Sequence, residues 1–255
     1  MFVNNNSPDD PSDIIREYSN TLNIEYIKIK ENLFFTRGMN IGIRAALKLN
    51  PDIIGFMNSD MWCDLNMIEK IKLFFNNNPG VVALTPNIKD LEDTQTVFYP
   101  LKYSGVFGKS IPIKTTADSD TDFLTGASLF VKTETLKKVG LFYEPYIHGT
   151  EDFELCDKLR KEGTIKYIYS TNIHHQSIKA KKNKVSLELE RLNSKNWYIY
   201  CLRNKPSNLI LIKLALFKNI AGALMGNAID KQRLLGKLSG FKETVFHLTN
   251  KNKYL

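Results

Sequence analysis

The feature that most constrains the fold is an apolar run, residues 53–57, that ends abruptly in the polar sequence Asn58-Ser59-Asp60. Such a run has the length and the flanks of a buried strand in a mostly parallel sheet. Helical periodicity covers residues 42–49 before it and residues 65–76 after it, and a second strand-like run follows at 81–85. The alternation predicts an α/β protein whose ligand sites collect at the carboxyl ends of strands.

The same periodicities continue along the chain. They predict strands at residues 24–29, 123–132 and 165–169, and helices at 134–139 and 151–162. Residues 89–120 are rich in polar and turn-forming side chains, which predicts an irregular excursion from the sheet.

Composition excludes several classes of protein. The chain of 255 residues has three widely spaced cysteines, which fits neither a disulfide framework nor a structural zinc site. Its first residues lack the basic and apolar regions of a signal peptide, so we expect a cytoplasmic location. Neither a dinucleotide-binding glycine motif nor a P-loop is present.

The character of the chain changes after residue 180, where it becomes Lys-rich and helical. The net charge of +8 makes acidic partners an expectation. An apolar stretch, residues 209–225, contains Lys213 and Lys218 and fits an amphipathic helix, either packed on the sheet or lying on a membrane surface. We expect an anionic membrane surface, at the inner face of the plasma membrane, rather than nucleic acid, as the partner of these lysines.

Asp60 is the first candidate for a functional carboxylate. A carboxylate just past a buried strand is well placed to hold Mg²⁺ or Mn²⁺, which prefer oxygen ligands. Such a metal would neutralise charge on a departing diphosphate. The structural alternative is that Asn58 and Asp60 simply begin a loop.

A second cluster of acids, Glu151, Asp152 and Glu154, crowds the start of a predicted helix. One of these carboxylates can act as a general base that removes a proton from a hydroxyl group. Alternatively, the acids complement the helix dipole while Gly149 or Thr150 caps the helix. Beyond the strand at 165–169, His174 and His175 face opposite ways, so one of them points into a site as a metal ligand or phosphate donor, unless it is a surface histidine.

Taken in order, these segments resemble the family 2 glycosyltransferases of the GT-A fold, and most closely their rhamnosyltransferase-like members. Residues 3–9 resemble the family's V-D-N-x-S-x-D segment, and residues 32–45 its glycine-containing helix entry. Residues 56–60 match the L-N-x-D form of its metal-binding motif. Residues 123–127, 139–142, 151–156 and His175 match the acceptor-side half.

The resemblance implies a metal-dependent, inverting transfer of a sugar, with rhamnose as one candidate, from a nucleotide-sugar donor to a saccharide or lipid-linked acceptor in surface polysaccharide synthesis. It implies a GT-A domain at residues 1–180, followed by a Lys-rich helical extension at 181–255. It assigns Asp152 as the base with Glu151 beside it, and Asp60 and His175 as metal ligands. The implied donor-binding residues are Asn4, Ser7, Asp9, Arg37, Asn40, Asn58, Asp60 and Gly126.

Departures from the family pattern, above all the missing first elements, raise an alternative. The family has a strand and a helix before the V-D-N segment that have no counterpart here, the usual Asp of that segment is Asn4, and a usual Gly is Phe34. The alternative is a catalytically inactive glycosyltransferase-like binding module.

Overall fold

The computed structural model describes residues 1–92, 96, 98–104, 109–147, 149–175, 187–204 and 209–249. The chain forms two compact units, the first from residues 1–102 and 112–177 and the second from residues 103–111 and 178–255. The expected domain boundary between residues 180 and 181 lies outside the described residues and stays a prediction.

Strands and helices alternate over the first unit, and helices form most of the second. The strands are β1 (Phe2–Asn4), β2 (Tyr26–Lys28), β3 (Ile53–Met57), β4 (Met61–Cys63), β5 (Val81–Asp90), β6 (Leu101–Ser104), β7 (Lys109–Pro112), β8 (Ser119–Asp120), β9 (Ser128–Lys132) and β10 (Thr164–His175). The helices are α1 (Ser12–Tyr18), α2 (Phe34–Leu47), α3 (Met67–Asn77), α4 (Thr133–Val139), α5 (Glu151–Glu162), α6 (Leu187–Asn204), α7 (Leu209–Leu224) and α8 (Ala228–Thr249).

The main sheet has the strand order β3-β9-β5-β10-β4, with β8 also paired to β10. Only the β5–β10 pair in it is parallel, so the expectation of a mostly parallel sheet is corrected to a mixed sheet. The reason lies in the connections, because parallel neighbours need a crossover segment. Strand β9 instead follows a stretch without a described helix, and it inserts between β3 and β5 running opposite to both.

Strand β10 contains a bulge before its end at His175. The register between β10 and β5 shifts between Ile168 and Asn172, opposite Pro86 and Asn87. Proline has no N–H for the ladder, so a central strand that contains it is interrupted there. Asp118 accepts hydrogen bonds from the freed N–H groups of Tyr169 and Ser170, at 2.8 and 3.1 Å.

Strands β1 and β2 form a separate parallel pair, and α2 packs on both β1 and β3. Glycines let α2 approach β1 closely, because a Cβ atom at Gly42 would lie 2.9 Å from a methyl group of Val3. A cavity of about 720 Å³ lies between β1, α2 and β3, and its lining includes Asn5, Asn58 and Ser59.

Two apolar clusters pack against the faces of the main sheet. One joins β3, β9 and β5 to α2, α4 and α5, with Leu129, Val131 and Leu159 fully buried. The other joins the sheet to α3 through Met67, Ile71 and other buried side chains. Both faces of the sheet are therefore covered, as expected of an α/β fold.

The second unit is built on the packing of α8 against α6 and α7. Gly236, Gly240 and Thr244 recur every four residues and form the stripe of α8 that meets α6. Within the described part of the chain, no helix combines the length and the apolar character needed to cross a membrane.

The sequence predicted several elements closely, with the strand at 53–57 and the helix at 151–162 matching β3 and α5 at both ends. Two further expectations are corrected. Helix α2 begins at Phe34, well before the predicted start at residue 42. Residues 89–120 are not purely irregular, because they contain the end of β5 and strands β6, β7 and β8.

Candidate functional site

Polar segments from three strands meet at one edge of the main sheet. Strand β3 ends where the antiparallel strand β9 begins, with Met57 paired to Ser128, and the N–H of Asn58 donates to the carbonyl of Ala127 at 2.9 Å. Strands β5 and β10 run parallel and end together at the pair Asp90 and His175. Residues 58–60, 126–127 and 175 therefore share the edge where ligand sites of this architecture form.

Asp60 and His175 lie against each other at this edge. The Oδ2 atom of Asp60 is 3.1 Å from the Nε2 atom of His175, and both side chains remain partly accessible to solvent. Pairing of β4 with β10, which sets Met61 opposite His175, brings together residues that are far apart in the chain. A carboxylate oxygen and an imidazole nitrogen therefore lie side by side at this edge of the sheet.

A chain of polar side chains holds β4, β10 and β5 in register behind this pair. Tyr167 donates to Asn87 at 2.8 Å, Asn87 donates to Asn172 at 3.1 Å, and Asn172 lies 3.4 Å from Asp64. His174 lies 3.6 Å from the other oxygen of Asp64. Sequence reasoning missed Asp64, Asn87 and Asn172, because side chains that become neighbours only through strand pairing leave no local pattern.

Asp152 lies at the start of α5 and contacts the segment that precedes β9. The N–H of Gly126 donates to its Oδ2 atom at 3.3 Å, and a Cβ atom at Gly126 would lie 3.7 Å from the Cβ of Asp152. Burial, together with the nearby carboxylate of Glu151, raises the pKa of Asp152 to about 7. The carboxylate is therefore near its midpoint of ionisation at neutral pH, which suits a general base.

Glu151 is buried beside Asp152, and burial raises its pKa to about 7. Its Oε2 atom has no hydrogen-bond partner among the described residues. Thr150 precedes the helix in a left-handed conformation, with φ of 80°, and its side chain makes no capping bond to α5. The side chain of Thr150 therefore does not cap α5, contrary to one part of the structural alternative.

Glu154, the third acid of the cluster, has a structural environment. It is fully buried, accepts a hydrogen bond of 2.5 Å from the hydroxyl of Tyr146, and forms an ion pair with Lys158 at 3.1 Å. These contacts fix the turn at Glu144–Tyr146 against α5.

The predicted donor-binding residues of the first strand have mixed surroundings. Asn4 is buried, and its amide donates to the hydroxyl of Tyr26 at 2.9 Å while its oxygen accepts from the N–H of Ser7 at 2.8 Å. Ser7 and Asp9 are exposed in the loop after β1. Asn4 thus shapes that loop, and contact of these residues with a donor stays a prediction.

Arg37 and Asn40, on α2, both reach Glu144. Asn40 is buried and exchanges hydrogen bonds with the backbone of Phe142, at 2.9 and 3.1 Å. Arg37 lies 3.8 Å and Arg44 2.7 Å from the Glu144 carboxylate. Helix α2 therefore anchors the turn that precedes α5 and Asp152, and donor binding by Arg37 and Asn40 stays a prediction.

The residues at the sheet edge fit a divalent cation of the Mg²⁺ or Mn²⁺ class. The described residues contain no cluster of three or more His, Cys, Asp or Glu side chains suited to a metal. Such cations commonly take one or two carboxylates and complete their coordination with substrate phosphates and water. Asp60 supplies one such carboxylate, with His175 beside it, and metal binding by this pair stays a prediction.

The sequence matches the profile of a known family. The sequence profile of "Glycosyl transferase family 2" matches residues 1–133, about half of the chain. A hyaluronan synthase from Pasteurella multocida is 27% identical in an alignment of 240 residues. The alignment covers 80% of this chain and 24% of that protein. The chain thus spans about a quarter of the length of the curated relative that it matches.

Solved structures share the fold. GalNAc-T7 with UDP, GalNAc and Mn²⁺ superposes with a TM-score of 0.58 at 13% identity, covering 77% of this chain and 40% of that one. S. aureus TarS 1-349 in complex with UDP has a TM-score of 0.52 at 18% identity, covering 77% and 54%. The mannosyltransferase PcManGT from Pyrobaculum calidifontis, with GDP-Man and Mn²⁺, has 0.51 at 12% identity, covering 94% and 76%. These similarities confirm the expected GT-A fold.

Proposed function

Because the chain belongs to the family 2 glycosyltransferases, we propose that it transfers a sugar, with inversion, from a nucleoside-diphosphate sugar to a hydroxyl group of an acceptor. The observation that carries this proposal is the pairing of Asp60 with His175, at 3.1 Å, at the sheet edge that also holds the Gly126 contact of Asp152.

Asp152 acts as the base in this proposal. Its carboxylate takes the proton from the acceptor hydroxyl while the acceptor oxygen forms a bond to the anomeric carbon of the donor sugar. The bond from that carbon to the diphosphate oxygen breaks in the same displacement, and the diphosphate leaves with the bonding electron pair. A single displacement inverts the anomeric carbon and needs one base, whereas two displacements need a nucleophilic carboxylate placed across the sugar.

Asp60 and His175 would hold the divalent cation. When bound, such a cation stabilises the negative charge on the leaving diphosphate. Asn58 and Gly126, at the same edge, would contact the donor beside Asp152.

The names of the similar proteins guide the choice of donor. The solved neighbours hold UDP or GDP-mannose, two of them with Mn²⁺, and the curated relative is a hyaluronan synthase. We therefore propose a nucleotide-sugar donor with Mn²⁺ or Mg²⁺ and a saccharide or lipid-linked acceptor, as in surface polysaccharide synthesis. Rhamnose, which the sequence resemblance suggests, belongs in the same donor panel.

A thermal-shift panel of nucleoside diphosphates and nucleotide sugars, with and without Mn²⁺, tests the donor site. A ligand that binds only the native state stabilises it by about 2.7 kcal/mol at a hundred times its Kd. We expect a metal-dependent rise in Tm with at least one nucleotide. The rise should disappear in Asp60→Ala and persist in Asp13→Ala, which removes an exposed carboxylate from α1.

Two outcomes would contradict the proposal. If no nucleotide shifts the Tm of a chain that melts cooperatively, the inactive binding module becomes the better description. If nucleotides bind equally well to Asp60→Ala in the presence of Mn²⁺, Asp60 does not hold the metal.

A further inference from the structure

Helix α7, in the second unit, meets α8 through a buried polar residue and a glycine. Asn219 is buried, and its amide lies 3.3 Å from Asp230 of α8 while its oxygen accepts from Lys237 of α8 at 2.9 Å. A Cβ atom at Gly222, one turn further on, would collide with Asp230. The contact of α7 with α8 therefore includes a hydrogen-bonded amide and a small residue.

The outer side of α7 is apolar and exposed. Leu214, Phe217 and Leu224 are 60%, 73% and 84% exposed. At about 100° per residue, these three side chains fall within an arc of roughly 80° on the side opposite Asn219. A helix on the surface of a water-soluble protein turns its polar residues outward, so this exposed apolar arc marks an interaction surface.

Lysines lie at both borders of this arc. On the same helical projection, Lys213 falls just beyond one edge and Lys218 just beyond the other, and both are exposed. Helix α7 contains no Asp or Glu, and residues 209–249 contain six Lys and Arg against two Asp and Glu. Lysines so placed can lay their methylene stems along an apolar surface and extend their ammonium groups to anionic head groups.

We propose that α7 lies in the plane of an anionic lipid bilayer surface, with Leu214, Phe217 and Leu224 inserted among the lipids and Lys213 and Lys218 at the level of the head groups. The helix has 16 residues, a length of about 24 Å, which is shorter than a hydrocarbon core of about 30 Å. An in-plane position places the apolar arc among the lipids and both lysines at the head groups.

Charge and burial favour a bilayer over other occupants. A symmetric contact with a second copy would set the lysines of two α7 helices side by side, with no acid on α7 to offset them. A nucleic acid would be held in a positively charged groove, whereas the exposed arc of α7 is apolar and has lysines only at its borders.

Co-sedimentation of the full chain with vesicles tests the proposal. The vesicles contain phosphatidylcholine alone, or phosphatidylcholine with 30% phosphatidylglycerol. We expect binding to the anionic vesicles that weakens with salt and is lost in the triple variant Leu214→Gln/Phe217→Gln/Leu224→Gln. Leu73→Gln, which makes the same change at a 60% exposed position of α3, should bind like the original chain. Each of Lys213→Gln and Lys218→Gln should weaken binding about fivefold.

Three results would overturn the proposal: equal binding to neutral and anionic vesicles, unchanged binding by the triple variant, or no vesicle binding by a chain that self-associates through α7 in sedimentation velocity. Far-UV circular dichroism checks that each variant keeps its helices. If the triple variant loses them, Phe217→Gln alone provides the test, with an expected loss of at least tenfold. None of these outcomes depends on the proposed sugar transfer.

Discussion

At the scale of single residues, the surroundings of each carboxylate in the first unit determine what it can do chemically. Asp60 is exposed beside His175, Glu154 is bonded to Tyr146 and Lys158, and Asp152 lies near the buried carboxylate of Glu151. Of these, only Asp152 combines a pKa of about 7 with a backbone contact to the sheet edge. It is the carboxylate best suited to take a proton at neutral pH.

This environment predicts the pH dependence of sugar transfer. Because the base must be ionised, kcat/KM should rise with pH and level off above about 7, following the raised pKa of Asp152. Asp152→Asn should lower kcat by about 10²- to 10⁴-fold and leave donor binding in the thermal-shift panel unchanged.

Glu151→Gln provides the matched control. It removes a neighbouring negative charge that raises the pKa of Asp152, so the rising limb of the profile should move to lower pH while transfer persists. A profile that is flat from pH 5 to 8 in the original chain, or full activity in Asp152→Asn, would remove Asp152 as the base.

The sequence anticipated several residues of the site but not their surroundings. Asp60, Asp152 and His175 stand out locally, by a strand end, a helix start and a histidine pair. Asn4 and Asn40 stand out equally, yet they are buried and bonded to the protein itself. Burial depends on which element packs on which, so no local pattern distinguishes the two groups.

At the scale of elements, close backbone contacts made possible by glycine determine how the helices pack. On α8, a Cβ atom at Gly240 would lie 2.6 Å from the carbonyl oxygen of Arg191 and 2.8 Å from the N atom of Lys195, both in the backbone of α6. Backbone atoms cannot move aside as a flexible side chain can. The α6–α8 contact therefore needs glycine at this position.

We predict that Gly240→Ala destabilises the second unit by about 1–3 kcal/mol, the usual effect of overpacking. This cost should exceed the gain of about 1 kcal/mol that alanine brings within a helix. Urea unfolding followed by far-UV circular dichroism at 222 nm measures the change. Gly80→Ala, at a position with no atom within 4 Å of the added Cβ, should have little effect. Equal midpoints for the original chain and Gly240→Ala would show that α6 and α8 do not pack this closely.

At the scale of the whole molecule, the two units carry different surfaces. The first holds the sheet edge with Asp60, Asp152 and His175. The second holds the apolar arc of α7 and its two lysines. We therefore expect the nucleotide and the anionic bilayer to bind different parts of the chain.

Hydrogen–deuterium exchange tests this separation. A nucleotide with Mn²⁺ should slow exchange at residues 58–61 and 126–128, where backbone groups line the sheet edge, more than in α7. Anionic vesicles should slow exchange in α7 and leave the sheet edge unchanged. Vesicle protection confined to residues 58–61 and 126–128 would contradict the division of roles.

The sequence by itself determined the alternation of strands and helices, because apolar periodicity follows from which face of each element is buried. It also determined the polar strand end at Asp60 and the acidic start of α5. Tertiary structure decided the direction of β9, the bulge opposite Pro86, the contact of Asp60 with His175 and the raised pKa of Asp152. Each of these depends on long-range pairing or on burial, and such contacts join residues whose local sequences carry no information about one another.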